Sequence, residues 1–213
     1  SEEVTRDLNS GEYLFGRGLF DMKTGDAILM AVMEEISEDI ENFSGNLIFC
    51  GVCDEEANSG GMLSCVPELV KLQEDEGFEY TALLDTDYMT SEYEGDENKY
   101  VYIGTVGKLM PSFFIVGKET HVGESFKGLD PNQISAAIVN RVNLNVEYCD
   151  VAEGEVSLPP ITLKNKDLKP EYSCQIAKTA YLYFNYATHT STPDEVMLKM
   201  KKAALDSFQS VVD

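Results

Sequence analysis

The sequence predicts an α/β chain with a parallel-rich sheet flanked by helices over residues 1–100, followed by a smaller α+β layer over residues 101–213. Three observations carry this expectation. In the first half, short apolar runs of strand length alternate with amphipathic stretches of helical period. Around residues 91–98 the composition turns polar and acidic, as a linker or surface loop does. Beyond that break the order becomes strand, helix, strand, helix, the pattern of a layered α+β domain.

Taken in order, residues 13–15 (Tyr-Leu-Phe) read as a short strand entering a glycine-rich turn. Ile28, Leu29, Val32, Ile36, Ile40 and Phe43 recur at helical spacing with Glu34, Glu35, Glu38 and Asp39 between them, which predicts a helix over 24–43. Residues 47–52 (Leu-Ile-Phe-Cys-Gly-Val) read as a buried strand, residues 62–72 as a second amphipathic helix and residues 80–84 as a second buried strand. A strand–helix–strand crossover of this length predicts a parallel pair whose functional side chains gather beyond the strand ends. In the second half the same signals predict a strand at 110–116 and a helix over 131–146, with Asp130 as N-cap and Pro131 in its first turn. A β-rich run follows at 179–187, then a closing amphipathic helix over 193–212 capped by Thr192.

The chain has 213 residues, enough for one large or two smaller cores, and its 43% hydrophobic and 10% aromatic content exclude a disordered acidic polymer. With 38 acidic against 16 basic residues the net charge is −22. Such a surface repels phosphate backbones and anionic lipid, so neither nucleic acid nor a membrane is an expected partner. No apolar run approaches a membrane span, and a cytoplasmic location is expected. The five cysteines Cys50, Cys53, Cys65, Cys149 and Cys174 are an odd number, which argues for a reducing compartment rather than a disulfide framework. Cys50 and Cys53 have the spacing of a redox dithiol. They lie, however, in an apolar run that leads into Asp54-Glu55-Glu56, where negative charge opposes a thiolate. No second pair exists to close a zinc shell around them.

The acidic residues after the predicted strands are the chemically informative ones. Glu55 and Glu56 follow the run at 47–52, and Asp85 and Asp87 follow the run at 80–84. A hydrolytic metal site needs carboxylates as ligands and one more left free to take a proton from the attacking water. Two adjacent glutamates can divide that labour. His189 matches no motif and reads as a surface or satisfied polar residue.

The motif Gly16-Arg17-Gly18-x-x-Asp21-Met22-Lys23-x-Gly25, then Asp54-Glu55-Glu56 ending in Gly60-Gly61, then an acid after a strand, resembles the co-catalytic zinc metallopeptidase family. Aminoacylase, succinyl-diaminopimelate desuccinylase and glutamate carboxypeptidase belong to it. Gly107-Lys108-Leu109-Met110-Pro111-Ser112-Phe113, the stretch Gly117 to Glu124 and Thr86-Asp87-Tyr88 look like its arginine-utilisation branch. The resemblance covers most of residues 14–145.

It implies a partial catalytic domain over 1–100 and a lid or dimerisation domain over 101–213. Two zinc ions would be bridged by Asp21, with Glu56 on one ion and Asp87 or Asp85 on the other. Glu55 would be the general base, and His121 the lid histidine that polarises the scissile carbonyl across a homodimer. The substrate would be a small N-acyl amino acid or peptide connected with arginine or amino-acid catabolism. One departure from the pattern is plain: the family's remaining zinc ligands are histidines, and the only histidines here are His121 and His189. The sequence therefore reads as an internal piece of a longer enzyme or a shortened relative, weakly zinc-binding and inactive by itself. The alternative is a non-catalytic interaction module.

Overall fold

A computed structural model describes residues 1–213, which divide into two compact units, Ser1–Val101 and Tyr102–Asp213. The first unit holds helices α1 (Glu2–Ser10), α2 (Thr24–Glu38) and α3 (Gly60–Glu76). The second contains β1 (Gly107–Leu109), β2 (Ser112–Val116), α4 (Pro131–Val142), β3 (Val151–Ala152), β4 (Glu155–Val156), β5 (Ile161–Asp167), β6 (Thr179–Thr188) and α5 (Pro193–Val212). No helix is long and apolar enough to cross a membrane.

In the first unit the helices start and stop on local signals. Ser1 caps α1 by accepting from the Val4 N–H, and Gly11 ends it at φ 72°. α2 stops at Glu38 and passes into a 3₁₀ turn over Ile40–Asn42, so the predicted helix over 24–43 breaks near its end. α3 ends on Gly77 at φ 72°, whose N–H returns to the Gln73 carbonyl. None of the three helices buries a residue, and Asp96 is the one buried side chain of the unit.

The expected parallel-rich sheet is not formed. Residues 13–15, 47–53 and 80–84 make no strand, and every strand pairing in the chain is antiparallel. The physical reason lies in what an apolar run signals: it reports a tendency to be buried, whereas a strand also needs a neighbour's N–H and C=O groups along its edge. Here Leu47, Ile48, Leu83 and Leu84 are themselves exposed, the last two by about 80% (81% and 79%), so neither condition is met.

In the second unit β6 is central. It pairs with β5 along one edge and with β1 and β2 along the other, with Tyr183 facing both Lys164 and Ser112. The register of β1 runs on into β2, and the Phe184 N–H bonds the Pro111 carbonyl between them at 3.2 Å. Along β6 the side chains alternate strictly. Ala180, Leu182, Phe184 and Tyr186 are fully buried, while Thr179, Tyr181 and Tyr183 are half-buried on the other face. The buried row meets Ile134, Ile138 and Val142 of α4 and Val196, Met200 and Ala203 of α5. Each such large side chain stabilises the fold by about 1.5–3 kcal/mol. Phe113 of β2 meets Phe184 edge-on at 6.0 Å.

α4 begins where its Asp130–Pro131 signal predicts, with the Asp130 carboxylate accepting from the Asn132 N–H at 2.9 Å. α5 opens on a capping box. The Glu195 N–H bonds the Thr192 hydroxyl, and the Thr192 N–H bonds the Glu195 carboxylate at 2.7 Å.

The turn between β6 and α5 is organised by Asp150, a buried carboxylate. Its Oδ2 accepts from the backbone N–H groups of His189, Thr190 and Ser191 at 2.7–2.9 Å, and its Oδ1 accepts from the Ser191 hydroxyl. His189 is thus half-buried rather than a surface residue, and its Nε2 is buried without a partner. The Ser191 N–H above all, then the Thr190 N–H, the Ser191 hydroxyl and the His189 N–H, hold the Asp150 carboxyl well below its ordinary value of 3.8 against the opposing effect of burial. A lowered native pKa means stability that is complete above the ordinary value and drains away as pH falls below it. Asp150→Ala should cost about 2–3 kcal/mol at pH 7, since hydrogen bonds to a charged group are at stake. In chemical denaturation the gap between wild type and variant should be full at pH 6 and shrink as pH drops below about 4. A pH-independent gap would contradict this account.

Candidate active site

The turn carrying the two glutamates is built by close packing. α3 starts directly over the residues that precede the turn: a β-carbon at Gly61 would stand 2.3 Å from the Cys53 carbonyl oxygen and 2.6 Å from its nitrogen. Only glycine tolerates that approach, and it lets the Gly61 N–H bond the Cys53 carbonyl at 3.1 Å. Between these points the chain reverses through Asp54, Asn58 and Ser59, all at positive φ (59°, 66° and 55°). The Ala57 N–H bonds the Asp54 carbonyl and the Ser59 N–H bonds the Glu55 carbonyl, both at 3.1 Å. The Cys53 thiol is 3.6 Å from the Asp54 carboxylate.

The glycine-rich segment packs in the same manner against residues 86–88. A β-carbon at Gly25 would meet the Thr86 hydroxyl at 2.6 Å and the Thr86 carbonyl at 2.7 Å. Phe20 and Tyr88 stack with ring centroids 4.6 Å apart. Asp21 lies between these two contacts, in an irregular helical turn over Leu19–Lys23 where it departs to φ −116°, ψ 94°. A third link joins this segment to the glutamate turn, because Arg17 Nη2 is 2.5 Å from Glu56 Oε1. Three stretches far apart in sequence, around Asp21, Glu56 and Asp87, are thereby tied to one another within the first unit.

Their carboxylates nevertheless do not converge on a metal. No group of three His, Cys, Asp or Glu side chains able to hold an ion is present. Glu56 faces Arg17, and the Asp87 carboxylate accepts from the Tyr88 N–H at 2.7 Å. Residues 1–101 contain no imidazole, the donor that zinc sites of this kind combine with carboxylate. The donor set of this chain therefore does not by itself fit two zinc ions. Glu55 and Asp85 have no hydrogen-bonding or ionic side-chain contact that would assign them a partner.

His121 stands in the second unit. It is exposed and precedes a short 3₁₀ segment over Val122–Lys127, and its Nδ1 accepts from the Gly123 N–H at 3.1 Å. That bond leaves Nε2 as the donor of the neutral ring. The backbone on either side is pinned to the facing strand segment by Val122 N–H to Cys174 and Ile176 N–H to Thr120, both at 3.0 Å.

The profile of peptidase family M20/M25/M40 matches residues 3–209. The chain belongs to that family. It is 40% identical over 196 residues to Protein RocB of Bacillus subtilis (strain 168), a match covering 92% of this chain and 35% of that protein. It is 38% identical over 211 residues to the uncharacterized protein YqjN of the same organism, covering 99% and 38%. The succinyl-diaminopimelate desuccinylase of Wolinella succinogenes is 30% identical over 130 residues, 61% of this chain and 33% of the enzyme. The chain thus spans little more than a third of the length of these M20/M25/M40 relatives.

Two features of the site escaped the sequence reading. Arg17 is visible only as part of a motif, although one of 5 basic residues in a unit with 25 acidic ones is a signal for an ion pair. Thr86 is likewise visible only as part of the Thr86-Asp87-Tyr88 motif, which does not show that a glycine overlies it. Gly61→Ala and Gly25→Ala should each destabilise the first unit by about 1–3 kcal/mol, because backbone atoms of Cys53 fill the space at Gly61, and the Thr86 carbonyl fills it together with the Thr86 hydroxyl at Gly25. Gly60→Ala is the control: its β-carbon would have 3.8 Å of room. Thermal melts that rank Gly60→Ala with the other two would refute the packing argument.

Proposed function

We propose that this chain is part of an amide-bond hydrolase of the peptidase or deacylase type, in which Glu55 is the general base. Glu55 takes a proton from the attacking water and returns it to the departing amine; a positioned carboxylate in this role is worth about 10²–10⁴-fold in rate. The observation that carries the reading is the linkage of the three motif segments, with Arg17 on Glu56 and Gly25 on Thr86, in a chain of peptidase family M20/M25/M40. Asp21, Glu56 and Asp87 or Asp85 are the residues from which the whole protein would draw zinc ligands. The set in this chain does not complete such a site, so no chemical step is assigned to the metal. His121, with Nε2 as donor, suits the polarisation of a substrate carbonyl. The substrate class is a small N-acyl amino acid or dipeptide, and the likeness to Protein RocB together with the arginine-utilisation pattern supports a link to arginine metabolism. The test is a panel of N-acylated amino acids, arginine derivatives included, assayed on the whole protein. Glu55→Gln should lower kcat by at least about 100-fold with little change in KM. Unchanged turnover in that variant would remove the role of Glu55.

A second reading, a homodimer through residues 102–213, is favoured by one observation. Along the free edge of β2 runs a groove of about 410 Å³, bordered on its other side by Met197, Ala204 and Phe208 of α5, whose only charged lining residue is Lys201. On a chain of net charge −22 that strip is where a second copy meets least repulsion, and Phe114 and Val116 stand exposed beside it (64% and 59%). Sedimentation equilibrium should find a dimer that Phe114→Asp weakens at least tenfold. A wild-type chain that stays monomeric at its highest soluble concentration removes this reading.

A further inference from the structure

The sheet of the second unit has two unlike faces. The face that carries Leu182, Phe184 and Tyr186 is covered by α4 and α5. The opposite face is open to water: Phe114 and Val116 are 64% and 59% exposed, and Lys108, Lys164 and Lys166 are exposed as well. Register decides which side chains share it. Lys166, Tyr181 and Phe114 stand side by side across β5, β6 and β2, as do Lys164, Tyr183 and Ser112. Lys108 on β1 lies opposite Ala187 of the same face. Tyr181 donates to the Ser112 hydroxyl at 3.2 Å, and the Tyr181 and Tyr183 rings lie 5.7 Å apart. No acidic residue stands here, because the one acid of these four strands, Asp167, lies opposite Ala180 on the covered side. None of the three lysines forms an ion pair.

We propose that this open face docks an extended acidic segment of a partner polypeptide, with acidic residues at alternate positions and an apolar residue beside them. Charge sets the sign of the occupant. On a chain of net charge −22, lysines with no carboxylate among them form a patch that attracts an anion. Shape sets its size. The site is a sheet face and not a cleft, whereas small molecules are held in concave sites. Among large anions, nucleic acids and anionic bilayers carry phosphates far beyond the patch, and those meet the acidic remainder of the chain. A short acidic segment brings only the few charges that the lysines can match. Spacing then sets its pattern. Lys164 and Lys166 are two residues apart on one strand, about 6.6–6.8 Å, and side chains at i and i+2 of an extended peptide have the same separation. Two such carboxylates meet both ammonium groups at once, above the floor formed by Tyr181 and Tyr183. Ile161, opposite Asn185 on the same face and 38% exposed, takes the apolar residue. This docking uses the face of the sheet and not the β2 edge, and it does not depend on the hydrolytic reading.

Fluorescence anisotropy of labelled peptides mixed with this chain tests the docking. The probe is Val-Thr-Glu-Thr-Glu-Thr. Its control, Val-Thr-Thr-Glu-Glu-Thr, has the same composition, but its adjacent glutamates point to opposite sides of an extended strand. The probe should bind more tightly than the control, and raising salt from about 50 to about 300 mM should weaken it. Lys164→Ala combined with Lys166→Ala should weaken binding about fivefold or more, whereas Lys202→Ala, on α5, should not. The ring-proton resonances of Tyr181 and Tyr183 should shift as the probe is added, a readout that needs no variant. Absence of binding at millimolar probe, equal binding of the control, or unchanged affinity in the double variant would each overturn the proposal. Tighter binding of oligothymidylate or of phosphatidylserine vesicles would do the same. So would self-association of the chain that the double variant abolishes, because the occupant would then be a second copy.

Discussion

Two backbone contacts, Gly61 against Cys53 and Gly25 against Thr86, set the geometry on which the candidate site depends. Each brings a helix start to within a distance that no β-carbon allows, and each therefore decides where an acidic turn lies relative to a helix. Gly61 places α3 over the root of the Glu55–Glu56 turn, so the turn must reverse tightly and does so through three residues at positive φ. Gly25 places α2 over Thr86, which lies between Asp85 and Asp87.

Charge is handled in an unusual way. Residues 1–101 carry 25 acidic and 5 basic side chains, whereas residues 102–213 carry 13 and 11. Too few cations exist in the first unit to neutralise its carboxylates by ion pairing, and exposed pairs such as Arg17–Glu56 contribute only about 0–1 kcal/mol. The carboxylates that are well satisfied bond to dipoles instead. The Tyr100 hydroxyl, with the N–H groups of Asn98 and Glu92, lowers Asp96 to about 2, as the Ser191, Thr190 and His189 N–H groups lower Asp150. Such acids stay ionised without a counter-ion, and this leaves the few arginines and lysines for specific places, Arg17 among them.

The parts of the fold legible in the sequence were those in which two independent signals agreed. For α4 and α5 the helical period coincides with Asp130–Pro131 and with Thr192–Pro193–Glu195, and both helices begin where predicted. The run at 179–187 combines aromatic and β-branched residues with a period of two, and it is β6. Residues 47–52 and 80–84 offered one signal, apolarity, which cannot tell a ladder from a packed segment, and the parallel sheet inferred from them is absent. The site divides along the same line. Glycine spacing made the Asp21 and Glu55–Glu56 segments legible. The partnerships of Arg17 with Glu56 and of Gly25 with Thr86 were not, because a partner is a fact of three-dimensional packing and leaves no spacing rule in the chain.

The two units are therefore held by different means. Around β6 the structure rests on buried area: Leu182, Phe184, Tyr186, Ile138 and Met200 are almost wholly out of water, and their removal would be felt as lost transfer energy and a cavity. In residues 1–101 none of the helices buries a side chain, so little transfer energy is available to fix the positions of the carboxylates. What fixes them is steric: glycine contacts, turn hydrogen bonds and one aromatic stack between Phe20 and Tyr88. Steric contacts act over a few tenths of an ångström and bear on only a few residues. In this unit a single methyl group at Gly25 or Gly61 accordingly perturbs more than the loss of an exposed leucine such as Leu63 or Leu83.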